Sequence, residues 1–412
     1  MDRMILHCDM NGFYASVELL SFPELRNKPM AVCGNPESRH GIILAKNELA
    51  KAYGIVTAET VWQAKKKCPD IALVKPHHQK YQDYSKKINQ IYGRFTDMVE
   101  PFSIDESWLD VTGSRRLFGT GREIADMIRN TVKVELDLTL SVGVSFNKVF
   151  AKMGSDYKKP DATTEITREN YKELIWPLPI RDLFFVGGMT AEKLGKAGIT
   201  TIGQLAASNR GMICSMLGKQ GAMIHDYANG IDDSPVCRSY ERQKIKSVGN
   251  GITFKRDLLG MNDIKTAIIA LSDTVAGRLR RYGMKCDGVK IDIKDPMFHT
   301  ISRQKLLSAS TNLAEEIGTA ALELITKSWN LKEPIRMLTI TGIGLSDELE
   351  NEQLSMFAAD QENRDKTEKI ERALDNIRQK YGEHAITFGG ILHNDIGIEL
   401  NEQYESDYVE SC

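Results

Sequence analysis

Three acidic residues set the chemistry to look for. Asp9 closes a short apolar run at residues 4–8, and Asp105 and Glu106 sit side by side between two short strand-like runs. Carboxylates this dense need a cation. Hard oxygen ligands suit Mg²⁺, which usually shares its shell with water and substrate phosphates. Two such ions held about 4 Å apart would clamp the attacking and leaving oxygens of an in-line phosphoryl displacement. One acidic residue in a turn is ordinarily only solvated, so the reading depends on the fold bringing the three together. Close by in sequence, Lys148 and Lys152 fall on one face of an expected helix that Ser145 would cap, and Lys159 follows it. An ammonium there could meet phosphate, although surface lysines commonly do no more than solubilise.

The elements around these residues suggest how they meet. Residues 4–8 read as a strand, 12–20 as a helix, and 79–96 as a helix after a long insertion. Residues 100–111 read as a hairpin bent at Asp105 and Glu106, 121–136 as a helix with Ile124, Met127, Ile128 and Val132 on one face, and 138–144 as an alternating strand. The order βαββαβ is that of a ferredoxin-like sheet. Right-handed crossovers make its first two strands run the same way, so Asp9 and the hairpin carboxylates should share one rim. Short helices with glycine turns follow over 168–235, then a polar connector. A mixed region comes last, with helices expected at 264–282 and 312–326 and strands at 288–294 and 335–343.

Composition narrows the partners. The 412 residues suggest several domains, 42% are hydrophobic, and no apolar run approaches the ~20 residues of a membrane span. Seven scattered cysteines without a CxxC pair argue against a disulfide framework or zinc site, so a reducing cytoplasm is expected. The net charge of −2 conceals a segregation. Residues 243–332 carry 15 Lys and Arg against 9 Asp and Glu, whereas 347–412 carry 6 against 17. A positive body with an acidic tail suits a polyanion.

Five ordered blocks, HCDMNGFYASVE, SIDESWLDVTGS, SVGVSFNKVFAKMGSDYKKPDA, LPIRDLFFVGGMTAEKLGKAGITTIGQL and KSVGNGITFKRDL, resemble the Y-family DNA polymerases, close to the polymerase IV class with features of the polymerase V catalytic subunit. The resemblance implies an α+β multidomain chain. It would have a ferredoxin-like palm (1–10 and 79–167), small fingers (11–78), a helical thumb (168–235), a linker (236–245), a mixed α/β little finger (246–346) and an acidic tail (347–412). It implies an error-prone, template-directed polymerase that adds dNTPs to a primer on DNA without a proofreading exonuclease. Two Mg²⁺ would be held by Asp9, Asp105, Glu106 and the main-chain oxygen of Met10.

Under the same resemblance Tyr14 is the steric gate against a ribose 2′-hydroxyl, Phe13 backs the sugar and Lys159 meets the triphosphate. Ala45 and Ala58 leave room at the templating pair, and Lys51 supplies nucleotide-site charge. Lys148, Lys152, Gly187, Gly188, Lys246, Lys255 and Arg256 would grip DNA phosphates. Two departures stand out. Glu48 and Lys51 replace a usual tyrosine and arginine, and Phe185-Val186-Gly187-Gly188 replaces Gly-Val-Gly-Lys. In the tail, Gln353, Leu354, Met356 and Phe357 resemble the peptide with which bacterial polymerases bind the sliding clamp. Beyond it Ile370, Leu374, Ile377 and Tyr381 recur at helical spacing over 363–382. The chain is expected to be a monomer without membrane contact. Two rivals share the carboxylates or the basic surface: a nucleotide cyclase and a catalytically dead DNA or clamp adaptor. The thumb-like hairpin and basic C-terminal region speak against the first, and the intact trio against the second.

Overall fold

The N-terminal apolar run forms strand β1 (Ile5–Met10), buried at all six positions and followed by helix α1 (Phe13–Leu19). The chain then builds a small sheet of its own from β2 (Met30–Cys33) and β3 (Ile43–Lys46), continues through helices α2 (Glu48–Ala52) and α3 (Val61–Lys67), and adds β4 (Ala72–Val74). The strand order is β3-β2-β4. Strands of three or four residues are too short to show a period, which is why the sequence offered only an insertion here. Helix α4 (His78–Tyr92), hairpin strands β5 (Val99–Pro101) and β6 (Glu106–Asp110), helices α5 (Arg115–Phe118) and α6 (Gly121–Leu136), strand β7 (Leu140–Ser145), helix α7 (Lys148–Tyr157) and strand β8 (Thr163–Ile166) follow. This computed structural model describes residues 2–36, 41–238, 241, 244–347, 361–382, 385–392 and 394–398. They fall into two units, residues 1–37 with 41–242, and residues 243–412.

The larger sheet of the first unit has the order β5-β6-β1-β7-β8. Its β5/β6, β6/β1 and β1/β7 pairs are antiparallel, so β5 runs the same way as β1 with β6 between them. That is the expected ferredoxin-like arrangement. Strand β8 adds a fifth member, parallel to β7, from a stretch with no readable strand pattern. Helix α6 covers the sheet with Ile124, Ile128 and Val132, and starts at a reciprocal Thr120/Glu123 cap. The expected cap of α7 is corrected. Ser145 lies in β7 and donates to the Ile166 carbonyl, while Asn147 takes the Phe150 amide. Cap choice follows strand length here, because β7 runs on through the position at which a helix was expected to begin.

Helix α7 lies directly on β7 because glycines face each other there. A Cβ on Gly143 would fall inside the Ala151 carbonyl and 2.5 Å from the Ser155 amide nitrogen, and one on Gly154 would sit 3.0 Å from the Gly143 Cα. Gly143→Ala is therefore expected to push α7 off the sheet, at the upper end of the roughly 1–3 kcal/mol of an overpacked core. Lys152 would move with it. Chemical denaturation of the variant measures the loss, and an unchanged midpoint would refute the close fit.

Five short helices complete the first unit: α8 (Tyr171–Ile175), α9 (Gly188–Lys196), α10 (Ile202–Ala207), α11 (Arg210–Leu217) and α12 (Lys219–Ala228). They share a core of Ile175, Leu194, Ile202, Leu205, Ile213 and Ile224.

The second unit runs β9 (Ser247–Leu258), α13 (Gly260–Arg281), β10 (Met284–Lys294), β11 (Thr300–Thr311), α14 (Ala314–Ser328), β12 (Ile335–Asp347) and α15 (Gln361–Tyr381). Its antiparallel sheet has the order β11-β10-β12-β9, and α13 and α14 bury their apolar faces with it. The two edge strands went unread. Two-thirds of the residues of β11 are exposed, and β9 is interrupted by glycines. Helix α15 forms where its period placed it but docks by a different face. Ile370 and Tyr381 are 61% and 67% exposed. The face toward the unit is charged. Arg280 of α13 reaches Glu371 and Asp375, Arg364 reaches Glu316, and Arg378 reaches Asp273. Farther on, Ile391, Ile396 and Ile398 enter the unit's apolar core.

Candidate active site

Strand pairing brings the carboxylates together. Asp9 lies opposite Glu106 in the β1/β6 register, and the Met10 amide donates to the Asp105 carbonyl at 3.1 Å. Asp9 and Glu106, 97 positions apart in sequence, thus become neighbours where β1 and β6 pair. Each carboxylate has a partner. Lys159 Nζ lies 2.7 Å from Asp9 Oδ2, Lys152 Nζ 2.6 Å from Glu106 Oε2, and Ser103 Oγ donates to Asp105 Oδ1 at 2.6 Å.

Burial dominates the electrostatics of the cluster. Burial pushes Asp9 up to about 7, with Glu106 and Asp105 adding to the rise and Lys159 opposing it. Burial likewise raises Asp105, against its bond from Ser103. Glu106 goes the other way. Burial works against its charge, but the His7 ring and the Lys152 ammonium hold it down at about 2. Burial disfavours the charge on Lys159 too, yet Asp9 and Asp156 raise its pKa. No three His, Cys, Asp or Glu among the described residues are drawn around a single metal position. The donor chemistry nevertheless fits a hard divalent ion, because strand pairing gathers the carboxylate oxygens of Asp9, Asp105 and Glu106 where β1 and β6 meet.

Residues 8–156 match the impB/mucB/samB family, and residues 245–356 match its C-terminal domain. The DNA polymerase IV of Acetivibrio thermocellus is 47% identical over 97% of this chain and 99% of its own length, and that of Clostridium kluyveri 39% over 95% and 99%. The chain belongs to the Y family of DNA polymerases. A solved Y-family DNA polymerase chimera of Dbh and Dpo4 shares the fold, with a TM-score of 0.74 over 84% of this chain and 99% of its own at 21% identity.

In this Y-family polymerase Phe13 is buried and Tyr14 half-buried at the start of α1. Tyr14 stacks on Tyr81, centroids 4.0 Å apart and 13° from parallel. Tyr81 is tied down by a 2.6 Å bond from its hydroxyl to buried Glu18, which also meets His77 at 2.9 Å. Sequence reasoning missed this support, since its residues sit on two helices 60 positions apart. Ala45 is half-buried on β3, and Ala58 adopts a positive φ of 69°. Lys51 lies 3.5 Å from Glu48, both well exposed.

Other named residues have structural occupations. Lys148 pairs with Glu100 at 2.7 Å and lies 4.4 Å from the Trp108 ring centre. Gly187 and Gly188 open α9 with clear space where a Cβ would stand. The preceding Phe185, in place of the family's glycine, takes φ 66° and so carries strain that glycine avoids. In the second unit, Lys246 directly precedes β9. The Lys255 amide donates to the Ile396 carbonyl, and Arg256 binds Asp263 and Asp395 with both edges of its guanidinium. Gln353, Leu354, Met356 and Phe357 lie outside the described residues.

Proposed function

We propose that this polymerase extends a primer by two-metal phosphoryl transfer at Asp9, Asp105 and Glu106, with dNTPs and primer–template DNA as substrates. The observation that carries this is the pairing of Asp9 with Glu106 across β1/β6, Asp105 standing at the hairpin bend. Asp9, Asp105, Glu106 and the Met10 carbonyl would be the residues that hold the two Mg²⁺. Bound there, the ions supply charge neutralisation on the phosphates and ease loss of the 3′-hydroxyl proton. The chain's own residues do the rest. Lys159, within reach of Asp9, would turn to the incoming triphosphate, and Lys152 would stay on Glu106. The two-Mg²⁺ reading is tested by primer extension with one dNTP at a time across a magnesium titration; extension indifferent to divalent ions would overturn it.

Palm, fingers, thumb, linker and little finger are assigned the sequence boundaries given above, and the thumb glycines and the basic little finger would hold duplex phosphates without reading sequence. Tyr14, fixed by its stack on Tyr81, would exclude the ribose 2′-hydroxyl by volume. Tyr14→Ala is expected to raise ribonucleotide incorporation about 10- to 100-fold, the equivalent of roughly 1–3 kcal/mol of overpacking. Competition between CTP and dCTP measures it, and unchanged sugar discrimination removes the gate.

Residues 353–357 would bind the sliding clamp as a short apolar peptide, raising the local concentration of enzyme on DNA. Their deletion should abolish clamp stimulation and leave the basal rate alone. Stimulation that survives deletion would show the segment idle. No described helix is long and apolar enough to cross a membrane; a cytoplasmic monomer fits the reading.

A further inference from the structure

Glu106 is held from behind by a residue that the reaction scheme does not use. His7 sits in the middle of β1, wholly enclosed, with its ring against Trp108 at a centroid distance of 5.1 Å. Its Nδ1 lies 2.8 Å from Ser155 Oγ on α7, and its Nε2 lies 3.5 Å from Glu106 Oε2. That Nε2 has no hydrogen-bond partner within normal reach among the described residues. Ser155 Oγ also lies 2.7 Å from the Lys152 carbonyl, one turn back along the helix.

A hydroxyl has one proton, and a neutral imidazole has one donor and one acceptor nitrogen. If the Ser155 proton goes to the Lys152 carbonyl, Nδ1 must donate to Ser155, and Nε2 turns a lone pair on a carboxylate. Two electron-rich atoms would then face each other where water cannot come between them, a costly arrangement in a low dielectric. If the proton goes to Nδ1, Nε2 carries the hydrogen and approaches Glu106 as a charge-assisted donor. A carbonyl inside a helix does not depend on a hydroxyl, since the amide four residues on is its ordinary partner. The second arrangement satisfies every buried atom.

We propose that His7, protonated on Nε2 and fixed by the Ser155 hydroxyl, is a positioning residue that aims the Glu106 carboxylate toward Asp9. The relay Ser155–His7–Glu106 runs from α7 through β1 to β6, so it ties the helix that carries Lys152 to the strand that carries Glu106. Lys152 reaches the same oxygen, Oε2. A lysine holds by charge on a flexible stem, whereas an imidazole wedged beside an indole holds by direction. The proposal rests on the reading of Glu106 as a metal ligand. Ligands of that kind are commonly oriented by such a second group, whose loss costs about 10–100-fold in metal affinity or activity.

The test begins with the unaltered protein. With histidine labelled in its ring nitrogens, two-bond nitrogen–proton correlation spectra distinguish the tautomers, and His7→Gln identifies the His7 signals by their loss. The expected pattern is a neutral ring protonated on Nε2. A proton on Nδ1 would overturn the proposal whether or not any variant folds. In primer extension, His7→Leu is expected to lower kcat about 10–100-fold and to raise the magnesium concentration needed for half-maximal rate. The KM for dNTP should stay as it was. His7→Gln, whose amide can accept from Ser155 and donate to Glu106, should recover most of the rate. Equal losses in the Leu and Gln variants would reduce His7 to a packing residue. Normal extension by Glu106→Gln would instead sink the ligand reading while leaving the tautomer measurement intact.

Discussion

Replacing Asp105 and Glu106 together by alanine is expected to cut primer extension about a thousandfold or more. Loss of both would remove most of the protein's hold on two divalent ions, and several kcal/mol of transition-state stabilisation go with them at about 1.4 kcal/mol per tenfold. Affinity for primer–template should barely change, because the contacts proposed for duplex phosphates involve other residues. The fold should tolerate the change. Burial and the two neighbours are what push Asp9 up to about 7, so removing those neighbours relieves repulsion rather than creating it. Lys152 loses its 2.6 Å partner, but its ammonium keeps the faces of the Phe102 and Phe184 rings at 5.2 and 5.5 Å. The measurement is single-turnover incorporation alongside binding of a labelled duplex. A variant that binds and extends normally would end the case for these carboxylates. One that neither binds nor extends would point to a folding defect, which the unfolding temperature reports.

How much of this was legible in the sequence depends on what each residue's signal was made of. Asp9 announced itself because it ends a short, mostly apolar run, and Asp105 with Glu106 because two carboxylates interrupt a hairpin. Helix α6 was read to the residue, since four apolar positions share its face and its ends carry a cap and an aspartate. Strand β11 left no such mark: an edge strand facing water has no buried alternation to betray it. His7 was passed over for the opposite reason. A polar residue inside a buried strand looks like core, and only its distances to Ser155 and Glu106 give it a purpose. Helix α15 teaches a subtler point. Apolar spacing located the helix, but its docking face was decided by Arg280, almost a hundred residues away, about which local periodicity carries no information.

Arg280→Met should therefore be among the most destabilising changes in the chain, costing about 3–5 kcal/mol. The guanidinium is 2% exposed and binds Glu371, itself 8% exposed, and Asp375, while one of its nitrogens also donates to the Asn312 carbonyl. Methionine fills much of the volume and removes the charge, leaving a buried carboxylate against apolar surface. Glu371 also accepts from the Ala314 amide at the start of α14, so it cannot swing out to water without uncapping that helix. Its pKa already stands above the ordinary value, because burial outweighs Arg280 and the Ala314 amide. A carboxyl raised in the folded state contributes stability that is complete below its unfolded pKa and is lost as pH rises through its folded pKa, so the defect in Arg280→Met should be larger at neutral and alkaline pH than in acid. Calorimetry of the full chain at several pH values, with hydrogen exchange along α15, reads both size and direction. An unshifted transition would mean that α15 only rests on this unit. The companion variant separates charge from packing: with Glu371→Leu and Asp375→Leu added, most of the lost stability should return, short of the original by about 1 kcal/mol for the Ala314 cap that Glu371 supplied, because the larger cost lies in the stranded carboxylates.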